Sequence, residues 1–169
     1  MSERGKQRRS VDLYEWNSQH RGETSVGWQP VNRNSPFIEV VRSIRLVTWN
    51  VWFDELYQEL RYKSILQELK SLPFVDIISL QEVTKSFLSI LRADEDIQST
   101  WIVTDPWDAG HQRALHDSDI WYRNMFLVRK KWGGCARASV NPLPTVMGRF
   151  IVTLEISVPD ESVVSWSNG

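Results

Sequence analysis

The chain has 169 residues, the length of one domain with or without a tail, and 41% of them are hydrophobic, enough for a packed core. Charged residues make up 24% and the net charge is −1, so charge alone predicts neither a nucleic-acid nor a membrane partner, although it leaves room for a local basic groove. A single cysteine, Cys135, excludes an intrachain disulfide and a cysteine-rich zinc site, and fits a reducing compartment, nucleus or cytoplasm.

Residues 1–38 are polar, with Gly22, Gly27, Pro30 and Pro36 and no sustained period, and predict a flexible arm. The charged start has no apolar run behind it, so neither a signal peptide nor a membrane span is expected. "KQRR" (6–9) reads as a solvated tail. Nine tryptophans are many for this length; Trp16 and Trp28 would clamp the arm onto a body.

The body is expected over 39–158, with 159–169 as a tail. Residues 39–50 are β-branched and nearly continuously apolar, and predict a strand. Residues 54–69 predict a helix, with Leu56, Leu60, Ile65, Leu66 and Leu69 on one face, Asp54 as cap and Pro73 beyond its end. A second buried strand follows over 74–81. Strand, helix, strand is a βαβ unit with parallel strands, so the class is α/β. A helix is expected over 84–93, capped by Thr84, and strands over 97–104, 120–129, 134–140 and 148–158. The loop 105–119 is long and polar, and "WGGC" (132–135) reads as a turn with positive φ.

Both strands of the βαβ unit end on polar residues, Asn50 and Glu82. Sites in open α/β sheets form beyond such strand ends. An amide oxygen and a carboxylate are hard donors suited to Mg2+ or Mn2+. Two residues leave other roles open: Asn is also a turn residue, and Glu a helix N-terminal charge. Trp52 and Phe53 could stack a substrate ring or pack the loop. Arg61 reads as a surface or ion-pair residue, and Arg149 as structural. His20, His111 and "HDSD" (116–119) read as arm and loop residues.

"TWNVW" (48–52) and "LQEV" (80–83) resemble the opening motifs of the endonuclease/exonuclease/phosphatase superfamily, the fold of DNase I. The longer run 48–84 is most similar to its 5′-tyrosyl-DNA phosphodiesterase branch. "DIWYRNMFLVRKK" and "VNPLPTVMGRFIVTLEISV" extend the resemblance more weakly to residue 158. It implies one half of a four-layer α/β/β/α sandwich, a mixed sheet with helices on one face. It implies metal and catalytic roles for Asn50 and Glu82, a phosphate contact for Tyr122, and substrates that are nucleic-acid ends or other phosphodiesters. The same superfamily holds phosphatases and ribonucleases, so the substrate stays open.

The motifs of the family's second half, "G-D-x-N" and "S-D-H", do not occur in this sequence. The expectation is therefore a truncated half-domain with low or no turnover. Its inner sheet face would lie bare, inviting a complementary half, a homodimer or another partner chain.

Overall fold

Ile77, Ile78, Ser79 and Leu80 are consecutive and all buried. Alternate side chains of a strand point to opposite faces, so this run needs cover on both. A computed structural model describes residues 9–11, 13–17, 27–31, 43–104, 122–144, 150–157 and 163–168. In chain order its elements are β1 (Arg9–Val11), β2 (Leu13–Asn17), β3 (Gly27–Pro30), β4 (Leu46–Asn50), α1 (Gln58–Ser71), β5 (Ile77–Thr84), α2 (Lys85–Ala93) and α3 (Glu95–Thr100). There follow β6 (Trp101–Thr104), β7 (Tyr122–Arg129), a short 3-10 turn (Lys130–Trp132), β8 (Ala136–Pro142), β9 (Phe150–Ser157) and β10 (Val163–Asn168).

Six strands form a mixed sheet in the order β3-β2-β6-β7-β5-β4. Only β4 and β5 run parallel, as the βαβ reading requires, and α1 joins them. One face of this sheet carries Ile78, Leu80, Val103, Met125 and Leu127 against Tyr62, Ile65 and Leu69 of α1, Phe87 and Leu91 of α2, and Ile97 of α3. The other face carries Ile77, Ile102, Phe126 and Val128, and meets Ala138, Val152, Leu154 and Ile156 of a second sheet, ordered β1-β8-β9-β10.

The second sheet corrects the expectation of a bare inner face. Strands β8 and β9 do not extend the first sheet but fold across it. In β9, Phe150, Val152, Leu154 and Ile156 are buried while Ile151, Thr153 and Glu155 are half-buried and Ser157 exposed, the alternation of a strand covered on one side. The outward face of this sheet carries Arg137, Thr153, Glu155, Ser165 and Ser167.

The ends of the chain also differ from expectation. Residues read as a flexible arm supply β1, β2 and β3, and residues read as a tail supply β10. Trp16 and Trp28 face each other across β2 and β3 with ring centroids 5.8 Å apart, and Trp28 Nε1 donates to Arg92 O at 3.2 Å. Thus the two rings do tie this segment to the body.

Helix α1 begins later than its leucines imply. Leu56 and Leu60 are 55% and 67% exposed, and the buried face is Tyr62, Ile65 and Leu69. Asp54 does not cap the helix; its Oδ1 accepts from Leu56 N at 2.8 Å within the preceding loop. Thr84 caps α2 as predicted, accepting from Phe87 N. Residues 97–100 belong to α3 rather than a strand, because Asp94 accepts from Asp96 N and Ile97 N and Glu95 and Asp96 suit a helix start. Gly133 does not take positive φ. Its requirement is space: a Cβ there would lie 2.8 Å from Ile102 Cδ1. Among the described residues no helix is long and apolar enough to cross a membrane.

Candidate functional site

Parallel pairing puts Asn50 of β4 opposite Gln81 of β5, so the carboxyl ends of both strands are level. Gln81 is pinned by its side chain, whose Nε2 donates to Thr48 Oγ1 at 2.9 Å and Ser79 O at 3.2 Å. The next residue, Glu82, sits in an irregularity between Leu80 and Val83 where the β5–β7 register shifts. Its φ is 56°, a left-handed conformation that an L side chain adopts at a cost. Bulges of this kind re-aim side chains and gather beside active sites.

The loop 51–57 closes over this end. Asn50 Oδ1 accepts from Trp52 N at 2.7 Å, which makes the amide a turn-former as well as a strand end. Phe53 N reaches Glu82 Oε2 at 3.4 Å. The Phe53 ring stacks on Tyr122 at 4.4 Å between centroids and 16° between planes. Tyr122 begins β7 opposite Thr84. Asn50, Glu82, Trp52 and Tyr122 are therefore brought together at one sheet end. Arg149, His20, His111 and His116 lie outside the described residues.

Two contributors were not legible as such. Arg61 is no loose surface cation: its guanidinium donates to Trp52 O at 2.8 Å and to the carbonyls of Asp54 and Leu56. It also lies over the Trp52 ring, 4.6 Å from the centroid. The neighbouring Tyr62 shares a hydrogen bond of 2.8 Å with Thr84 Oγ1, two residues past Glu82. Adjacent residues of α1 thus hold the Asn50 loop and the Glu82 bulge in fixed relation. Arg61 lies on the first turn, five to nine residues after the loop carbonyls it binds, and that position was its only signal.

The rim is aromatic and apolar. Trp52 is 46% exposed, and Phe53, Leu56, Tyr57 and Leu60 are exposed beside it. Among the described residues no cluster of three or more His, Cys, Asp or Glu could hold a metal ion. Glu82 and Asn50 fit a smaller donor set. Glu82 Oε1 accepts no hydrogen bond among the described residues, and Asn50 Oδ1 has a second lone pair. Mg2+ is satisfied by one or two protein oxygens with water completing its shell.

No protein-family model matches the chain, and no curated protein matches it. Solved structures do. The crystal structure of TDP2 from Caenorhabditis elegans is similar at 21% identity with a TM-score of 0.50, covering 68% of this chain and 31% of that one. Its selenomethionine form is similar at 22% identity with a TM-score of 0.51, over the same 68% and 31%. The chain spans less than a third of the length of either. Over the span they share, it has the DNase I-like fold of the TDP2 structures.

Proposed function

We propose that the strand-end cluster is the metal- and phosphate-facing part of a metal-dependent phosphodiesterase acting on nucleic-acid ends, 5′-tyrosyl-DNA ends among them. In this chain it turns over slowly or not at all. The observation that carries this reading is the meeting of Asn50, Glu82, Trp52 and Tyr122 at one sheet end, with Glu82 held in a costly backbone conformation. The likeness of fold to TDP2 and the resemblance of "TWNVW" and "LQEV" support the same substrate class.

Glu82 and Asn50 would hold Mg2+ or Mn2+, which supplies charge neutralisation at a phosphate when bound. Tyr122 donates its hydroxyl to a phosphate oxygen, and its stack on Phe53 fixes the direction of that donation. Trp52 keeps a face open to a base or an aromatic leaving group while Arg61 holds the ring. No described residue stands ready to activate water, and all three histidines lie outside the described residues. Catalytic groups that act as a unit lose nearly all activity when part is missing, and "G-D-x-N" and "S-D-H" do not occur in this sequence. A nuclear or cytoplasmic place of action goes with this substrate.

Fluorescence anisotropy with a labelled 5′-phosphotyrosyl oligonucleotide tests the reading. Binding that needs Mg2+ and weakens about tenfold in Glu82→Ala supports it. Binding indifferent to Glu82→Ala contradicts it. Rapid Mg2+-dependent turnover, abolished in Glu82→Ala, would retain the site and overturn the slow-turnover part.

One observation favours a second reading. Strand β4 pairs only with β5 and ends its sheet, leaving one edge of backbone groups open among the described residues. A non-catalytic half-domain would use that edge to take a strand from a partner chain or a second copy. Sedimentation velocity that finds only monomer excludes the second copy.

A further inference from the structure

The opposite end of the six-stranded sheet has an open cavity of about 500 Å³, lined by Ser43, Arg45, Phe74, Asp76, Arg129 and Lys131 among others. Its one carboxylate is already satisfied. Asp76 Oδ2 accepts from Arg45 N at 3.0 Å, and Oδ1 accepts from Trp132 Nε1 at 3.2 Å and pairs with Lys131 Nζ at 3.0 Å. Burial works to raise this carboxyl, but those donors outweigh it and hold it below the usual carboxylate value.

The two arginines are therefore not neutralised by Asp76. Arg129 spends its Nε on Val75 O at 2.7 Å and lies over Trp101 at 4.3 Å. Among the described residues, neither the Arg45 guanidinium nor the terminal nitrogens of Arg129 meets a carboxylate. A pair of guanidinium groups in a concave site matches the oxygens of a phosphate.

Phe74 adds a second kind of contact. It is 78% exposed at the cavity mouth, with the Arg45 guanidinium 5.5 Å from its ring centroid. Its φ is 58°, a strained value for a bulky side chain. Apart from that cation–π contact, a bulky side chain strained and left in water gains little from folding there, and strained residues gather at ligand clamps.

We propose that this cavity binds a phosphorylated nucleoside, the phosphate on Arg45 and Arg129 and the base stacked on Phe74. Inorganic phosphate would leave Phe74 unused, and an apolar ligand would leave the arginines unused. The site is separate from Asn50 and Glu82: Asp76 and Glu82 are six residues apart along the chain, roughly 20 Å at strand spacing.

Calorimetric titration of the full chain with 5′-AMP, inorganic phosphate and a short single-stranded oligothymidylate tests this. AMP is expected to bind saturably. Arg45→Ala should weaken AMP and phosphate alike, about tenfold. Phe74→Ala should weaken AMP and spare phosphate, both in titrations run without divalent cation so that Asn50 and Glu82 hold no metal. Because the Arg45 side chain makes no hydrogen bond among the described residues, its loss should leave the fold intact; Arg45→Gln serves if it does not. Oligothymidylate binding tighter than AMP, with the same Arg45 dependence, assigns the site to a nucleic-acid strand; equal or weaker binding assigns it to free nucleotide. Absence of saturable AMP binding, or AMP binding unchanged in Arg45→Ala, overturns the proposal.

Discussion

Glu82 combines a left-handed φ of 56° with an Oε1 that no described residue uses. Stability alone would place glycine there. Glu82→Gly is expected to raise stability by about 1 kcal/mol in urea unfolding, while removing the carboxylate. Arg61 is the reverse case, a side chain that earns its place through structure. Arg61→Ala should cost about 2 kcal/mol and release the loop, seen as faster hydrogen exchange over 51–57. Arg61→Lys should not restore protection, since an ammonium cannot serve three carbonyls and cover the Trp52 ring. Asp76 supplies a pH dependence. Its carboxyl titrates below the ordinary value, so its contribution is present above the unfolded-state pKa and is lost as pH falls through the folded-state value. The stability difference between wild type and Asp76→Asn should therefore hold at neutral pH and shrink below about pH 4.

At the scale of elements, helix α1 decides how the two strand ends meet. Its sequence offers two apolar stripes, one through Leu56 and Leu60 and one through Tyr62, Ile65 and Leu69. The second wins because the chain before Gln58 is held as loop by Arg61, which removes Leu56 from the helix altogether. Leu60→Ala should change the unfolding free energy by less than about 0.5 kcal/mol, whereas Ile65→Ala should cost about 2–4 kcal/mol. Equal effects would mean the helix is rotated. The βαβ unit itself was legible, because Asn50 and Glu82 close two apolar runs separated by one amphipathic segment. Their nearness follows from parallel pairing. The bulge at Glu82 was not legible, since no glycine or asparagine marks its positive φ. Nor was α3, whose six residues are too few to display a period and whose start depends on the Asp94 cap.

For the whole molecule, the layers follow from which strands are buried on both faces. Strand β5 needs helices on one side and a sheet on the other, and both are present. Strands β8 and β9 were legible in the sequence, but not the sheet they join. That assignment depends on long-range pairing with β1, three residues too short to show a period, and with β10, whose residues read in the sequence as part of a tail. Among the described residues, the second sheet turns Arg137, Thr153, Glu155, Ser165 and Ser167 outward, with Ile151 half-buried beside them. The β4 edge and the aromatic rim beside Asn50 and Glu82 are open among the described residues. The central claim is that these two residues form a metal site, and Mn2+ titration followed by electron paramagnetic resonance of the free ion tests it most directly. Saturable Mn2+ binding by the full chain, weakened about tenfold in both Asn50→Ala and Glu82→Ala but kept in Asp76→Asn, is the predicted result. No binding, or binding that survives Glu82→Ala unchanged, would contradict it.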